Sequence, residues 1–363
     1  MSEIVIILIT LIVFSNILLI IAYLKIKKEE TTNFNELKIS VIVPFKNEEN
    51  KLPDLLKSLI GIDYPTDTYE IIFVDDNSND KSEEIIKSFS LVNSRLIKAT
   101  DKKILGKKGA LEIGIQKAQY DIIAITDADC IVEKDWLKSI SNKISQGYDL
   151  VFGYSPLIKK KLLISKISSY ENLKNFILYF TSVELSFPFG ATARSLAFKK
   201  SAYLKVNGYK NTTETLSGDD DLLIREFVKK NFKVGYFLDK NSLVYSYPSD
   251  SFKDYLLRKS RHVKTSHHYL IKHKIILGIW YFINFLSFFS FFLAVISFYF
   301  IAPLAIKIIS DLFLQYLFRN KIKHDFNIIE IVYLEFFYQI FLVINFITSL
   351  AFKDNWNKSK SFN

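Results

Sequence analysis

From Ile4 to Leu24 the chain runs 21 residues without a charge, and from Ile275 to Ile306 it runs 32. Few folds in water accommodate such stretches. At about 1.5 Å of rise per residue, the first run crosses a hydrocarbon core of about 30 Å as one helix. Only Glu3 precedes it as a charge, so it lacks the basic start of a secretory signal. Its apolar run is also too long for one, and no small-residue cleavage site follows. Residues 1–26 are therefore expected to form a retained span. The second run exceeds one span, and Pro303 marks a turn within it. Helices are expected near 276–297 and 300–318, with Lys307 and Asp311 placed i,i+4 to pair on the latter. Residues 328–352 make a third candidate, with Glu330 and Glu335 early and no charge from Phe336 to Phe352. The last two candidates carry charge, so lying in the interface or re-entering stays open for them. This gives a C-terminal membrane region, 275–352, of two to three helices and a tail, 353–363.

Charge places the rest. Lys25, Lys27 and Lys28 follow the first run, and Lys253, Arg258, Lys259, Arg261, Lys264, Lys272 and Lys274 precede the second. Both clusters flank residues 37–250, which the positive-inside rule puts on the cytoplasmic side of a cell (inner) membrane in a multi-pass chain. Lys353, Lys358 and Lys360 fit that rule poorly if every candidate crosses. The net charge of +10 gathers at these junctions without a nucleic-acid-binding motif, so it points to the membrane and not to nucleic acid. The single Cys130 excludes a disulfide scaffold and any Cys-rich zinc or iron–sulfur site. His262, His267, His268 and His273 lack the Cys or carboxylate partners of a zinc site, and two of them adjoin, so they do not face one way on a helix.

Between the membrane segments, apolar strands alternate with helical patterns. Lys38–Pro44, Glu70–Val74, Ser94–Lys98, Asp121–Thr126 and Asp149–Gly153 read as strands. Helices fall near 50–59, 81–89, 108–119 and 135–145. That alternation argues an α/β domain: a mixed, mostly parallel sheet with helices on both faces, whose ligands sit at the carboxyl ends of the strands. Polar clusters fall at those ends: Pro44–Glu49, Asp75–Asp80 and Asp127–Asp129.

Each cluster has two readings. Asp127 and Asp129 offer hard oxygens to Mg2+ or Mn2+ with a bound diphosphate, or cap a helix. Asp75 and Asp76 accept hydrogen bonds from a nucleoside, or make a turn. Asp219, Asp220 and Asp221 precede the helical run Leu222–Val228. One or two can cap it; a third is available as a general base toward a hydroxyl. Arg258–His262 anchors the chain at anionic lipid, or braces a leaving diphosphate. Residues 155–190 mix lysines with aromatics, which suits an element on the membrane surface over a lipid-linked acceptor as well as a subdomain packed on the sheet.

The ordered set resembles a membrane-bound, inverting family 2 glycosyltransferase of GT-A fold, similar to the cellulose and hyaluronan synthase and ceramide glucosyltransferase group. The resemblance covers about residues 38–265. It is carried by Val41–Glu49, Val74–Ser78, Gly106–Leu111 with Gly114, Asp127-Ala-Asp129, Gly190–Arg194 with Phe198, Asp219–Leu222 and Arg258–His262. It implies transfer from a nucleotide-diphospho-sugar, UDP-linked by analogy, to a lipid or lipid-linked acceptor. It implies nucleotide-sugar binding by Pro44, Asn47, Glu48, Asp75, Asp76, Lys107, Asp127 and Asp129, with Mg2+ or Mn2+ held by Asp129 and Asp127. Asp219 then matches the catalytic base, with Asp220 the second candidate, because Gly218 stands where the family more often has Glu. Arg258, Arg261 and His262, within a basic membrane-interface segment 251–274, are implied at the diphosphate and acceptor, with His262 in place of the family's Trp. That departure, and only four candidate spans, argue against a processive polysaccharide synthase. A non-catalytic membrane-anchored binding module is the reading from another class.

Overall fold

The structure, a computed structural model, describes residues 2–26, 35–89, 91–319, 322, 324 and 326–351. Lys27, Lys28, Lys353, Lys358, Lys360 and the tail lie outside the described residues. Among those described, seven strands form one sheet: β1 (Ile39–Phe45), β2 (Tyr69–Asp75), β3 (Ser94–Lys98), β4 (Ile122–Ile125), β6 (Leu150–Gly153), β7 (Leu196–Lys199) and β8 (Val234–Phe237). The order is β3-β2-β1-β4-β7-β6-β8, parallel except that β7 runs antiparallel to β4 and β6. β5 (Cys130–Val132) and β9 (Val244–Ser246) pair separately. The expectation of a mixed, mostly parallel sheet holds; β7 supplies the mixture.

Alternation along the strands divides the interior in two. Ile39, Val41, Val43 and Phe45 of β1 join Ile71, Phe73 and Ala124 in one core, while Ile42 joins Ile72, Val74, Ile123 and Ile125 in the other. The first core is closed by α2 (Leu52–Ile60) and α5 (Trp136–Ser145). Leu52, Leu55, Leu56 and Leu59 repeat at helical spacing and are all buried, each contributing about 1.5–3 kcal/mol relative to an exposed position. The second core is closed by α4 (Lys107–Lys117) and α6 (Leu163–Glu184). Gly114 brings α4 hard against the sheet: a Cβ there would lie 2.6 Å from Ile42 Cγ2 and 2.9 Å from Val74 Cγ2.

Among the described residues, four helices are long and apolar enough to cross a membrane: α1 (Ser2–Lys25), α10 (Ile271–Phe289, continued by 3-10 turns to Val295), α11 (Ile301–Arg319) and α12 (Ile328–Ala351). α10 starts several residues before the expected 276 and loses its α-helical form before 297. Lys307 and Asp311 do pair, at 2.6 Å. Their surroundings were not foreseen. Lys174 of α6 lies 3.1 Å from both Asp311 and Glu335, and Lys307 lies 3.0 Å from Glu335. Two ammoniums and two carboxylates thus alternate around a square, with Gln339 and Tyr170 donating to Glu335 at 2.7 and 2.8 Å. In residues 155–190, α6 packs on the sheet, with Phe176 and Phe180 in its second core, while Lys174 binds the apolar helices. Leu19 of α1 and Leu314 and Phe318 of α11 belong to that same core.

Candidate active site

The carboxyl ends of β1, β2 and β4 open onto one cavity of about 1500 Å3. The loop after β1 and the loop after β2 are laced together. Asn47 N–H donates to Ser78 Oγ at 3.0 Å, Glu48 N–H to Ser82 Oγ at 2.8 Å, and Asn79 N–H to Asn47 Oδ1 at 2.8 Å. Pro44, Asn47 and Glu48 line the cavity, as does Asp76, which is paired with Lys102. Asp75 does not line it. Its carboxylate turns back to accept the Ser78 N–H at 2.8 Å, so the turn reading applies to Asp75 and the pocket-facing one to Asp76.

At the start of α4, neighbouring lysines serve opposite sides. Lys107 Nζ lies 2.6 Å from Asp127 Oδ1 and 2.6 Å from Asp219 Oδ2, bridging the acids after β4 to those before α8 (Asp221–Lys229). Lys108, buried, donates to the carbonyls of Thr212 and Thr215 and so fixes the segment that leads to Asp219. Asp127 and Asp219 keep 26% and 13% of their side chains open to the cavity, so solvent and solutes reach them. Enclosure works against the charge of Lys107, but Asp127 and Asp219 outweigh it and raise its pKa. Enclosure also works against the charge of Asp219; the Lys107 ammonium prevails and holds that carboxyl below its usual range. Asp127 moves the other way: enclosure and the charges of Asp129 and Asp219 push it up despite Lys107.

The three consecutive acids divide their tasks. Asp219 faces Lys107. Asp220 caps α8, accepting from Asp221 N–H at 2.7 Å and from Ala193 N–H at 3.1 Å, while still lining the cavity. Enclosure and the charge of Asp219 push its carboxyl up to about 6. Asp221 is buried and accepts from Ala191 N–H at 3.1 Å and from the Tyr269 hydroxyl. Gly218 ahead of them has φ +80°, and a Cβ would meet Thr265 Cγ2 at 2.7 Å and Leu222 Cγ at 2.8 Å. Backbone and neighbours together disfavour any side chain at this place.

The opposite wall comes from α9 (Phe252–Ser266), which brings Arg258, Arg261 and His262 to the cavity. Burial, then the charges of Lys259, Arg261 and Arg258, push His262 down to about 3, so it is neutral at physiological pH. Arg194 joins them, its guanidinium held by Asn172 at 2.7 Å. Glu171 of α6 ties α9 in place, accepting from Tyr255 at 2.6 Å and lying 3.1 Å from Lys259. Asp129 completes the acidic edge, with Lys51 3.9 Å away. Every residue expected at the site is thus gathered here except Asp75. The sequence did not single out Lys102, Lys108 or Tyr269. The two lysines sat in a visible basic run, but nothing local says which one turns inward.

This sheet, with its acids at the strand ends and a basic wall opposite, defines a GT-A transferase domain. Residues 40–202 match the model of the glycosyl transferase family 2, so the chain carries a domain of that family. It is 26% identical over 288 residues to a probable glycosyltransferase of Bacillus subtilis, covering 73% of this chain and 66% of that protein. It is 36% identical over 101 residues to a beta-monoglucosyldiacylglycerol synthase of Nostoc sp., covering 27% of this chain and 22% of the relative. The chain thus spans two thirds or less of the length of these curated relatives. In structure it is similar to the mannosyltransferase PcManGT from Pyrobaculum calidifontis, solved in complex with GDP-Man and Mn2+. The TM-score is 0.59 at 16% identity, over 99% of this chain and 100% of that one. At that identity the likeness speaks for the fold.

Proposed function

We propose that the chain transfers a sugar, with inversion, from a nucleotide-diphospho-sugar to the hydroxyl of a lipid or lipid-linked acceptor, at the cytoplasmic face of a cell membrane. One observation carries this reading. Asp127 after β4 and Asp219 before α8 meet at Lys107, in a single cavity that Glu48 after β1 and Asp76 after β2 also line and that continues between apolar helices. The names of relatives support a lipid acceptor: one is a synthase of monoglucosyldiacylglycerol, and another, 34% identical over 116 residues, is an undecaprenyl-phosphate 4-deoxy-4-formamido-L-arabinose transferase.

Asp76, with Pro44, Asn47 and Glu48, borders the nucleoside end, where a carboxylate accepts from ribose or base; UDP is the nucleotide the family resemblance favours. Mg2+ or Mn2+ suits Asp127 and Asp129, which present hard oxygens at the cavity wall. Among the described residues no three His, Cys, Asp or Glu side chains form a cage, and such ions are ordinarily held by one or two carboxylates plus phosphate oxygens and water. When bound, the ion would neutralise charge on the diphosphate. Arg258 and Arg261 face the same space and pair with phosphate oxygens as the leaving group gains charge. Asp219, ionised and open to the cavity, takes the proton of the acceptor hydroxyl. The acceptor oxygen bonds the anomeric carbon as the bond to the diphosphate breaks on the opposite face, which inverts that carbon without a covalent enzyme intermediate.

The test uses membranes carrying the chain, a panel of labelled nucleotide sugars, and mass analysis of the lipid extract. One discrete glycolipid is expected, lost in EDTA and restored by Mn2+ or Mg2+. Asp219→Asn should cut transfer about 100-fold or more while donor binding persists. Unchanged transfer by Asp219→Asn sinks the assignment of the base, and a product ladder replaces single transfer with polymer synthesis.

A further inference from the structure

The cavity does not end at the acids. Its 1500 Å3 exceeds the roughly 300–1,000 Å3 of an ordinary small-molecule site, and its far end runs between α10 and α12. On α10 its wall is Lys274, Leu277, Gly278, Tyr281, Phe282 and Phe285, a repeat of three and four residues that marks one helix face. That face starts with a cation beside the α9 end of the site and is otherwise apolar or aromatic for about 16 Å of helix. On α12, Gln339, Leu342, Val343 and Phe346 answer at the same spacing. Phe282, Phe285 and Phe346 on these walls are exposed, and both helices are apolar enough to cross a membrane, so this end of the groove is open and not sealed by packing.

Gly278 sits in the middle of this wall. Glycine in a helix interior is destabilising relative to alanine, so its presence needs a reason. Close packing is not the reason, because a Cβ at this position would have nothing within 4 Å. Its φ is not in the left-handed region, so backbone geometry is not the reason either. What the missing side chain leaves is a gap in the groove wall, at the point where the cavity passes from the polar site to the apolar helices.

The geometry points to the groove between α10 and α12 as the seat of the acceptor's hydrocarbon chain, with Gly278 setting how thick a chain can enter. This rests on the proposed transfer to a lipid and deepens it: the acceptor is a hydroxyl-bearing lipid that enters sideways, its head reaching Asp219 while its chain stays in the bilayer. The continuity of groove and site favours this occupant over a protein partner.

The test is independent of sugar transfer. The full chain is reconstituted in phosphatidylcholine vesicles containing a long-chain alcohol with a diazirine in its tail, and photolabelled residues are mapped by mass spectrometry. Wild type should be labelled on the groove wall, at Tyr281 and Leu342, as well as on the outward faces, at Ile279 and Ile347. Gly278→Trp should cut the groove label at least fivefold and leave the outward label unchanged; Gly278→Ala should keep both. Labelling confined to the outward faces in wild type, or groove labelling that Gly278→Trp does not reduce, overturns the proposal. If Gly278→Trp disturbs the fold, the outward pattern changes too, and Gly278→Leu then decides by the same comparison. Groove labelling without transfer to any lipid would retain the groove and refute the transferase reading, and transfer without groove labelling would do the reverse.

Discussion

At the scale of single residues, the site is organised by one ammonium shared between two acids. Lys107 stands 2.6 Å from both Asp127 and Asp219, and this pairing keeps Asp219 ionised through the physiological range. Asp220 differs: pushed up to about 6 by enclosure and by the charge of Asp219, it is protonated below that pH and ionised above it. Its negative charge beside Asp219 makes Asp219 a stronger base, so transfer should rise as pH passes 6. Asp220→Asn, which keeps a good helix cap, should hold the rate near its acid-side level across that range. Persistence of the rise in this variant would remove Asp220 from the pH response. The same shift opposes folding as pH rises. In the unfolded chain this carboxyl ionises near its ordinary 3.8, so its stabilising contribution is full below 3.8 and is lost as pH climbs to 6. The positions of these acids were legible in the sequence because each follows an apolar strand or precedes a helix. Their division of labour was not. Asp75 and Asp76 are indistinguishable until the backbone sends one side chain into a turn and the other into the cavity.

Among the elements, α6 carries the longest-range information. One side of it, Phe176 and Phe180, completes the sheet's second core; Asn172 and Glu171 steady Arg194 and α9; and Lys174 enters the square with Asp311, Lys307 and Glu335. Removing one member of a buried ion cluster leaves an uncompensated charge, at a cost of about 3–5 kcal/mol. Lys174→Met should therefore lower the melting temperature of the detergent-solubilised chain markedly. Adding Glu335→Gln, which leaves Lys307 paired with Asp311, should recover most of the loss. A double variant no more stable than the single one would show that the square contributes packing and not charge balance. The i,i+4 spacing made the Lys307–Asp311 contact readable from sequence. Lys174 was not readable as its partner, because 133 residues separate it from Lys307 and no local pattern spans that distance. The antiparallel β7 escaped for a related reason: four residues are too few to announce a direction.

For the molecule as a whole, the expected orientation has a clean test. Cys130 is the chain's one cysteine, and it is buried, with enclosure raising its thiol pKa further; it should stay silent toward thiol reagents. A cysteine placed at exposed Lys240 should then react with an impermeant maleimide only from the cytoplasmic side. Reaction from outside would reverse the orientation. The charge-free runs made the membrane legible from the start, and the strand-end acids made the family legible. The joint between the two halves was hidden, since it is built from residues that look like ordinary core. Leu19, Leu314 and Phe318 finish the second core of the sheet. A fragment cut at the loops would therefore carry a bare oily face into buffer. Preparations of the catalytic half are expected to need an amphiphile to cover that face.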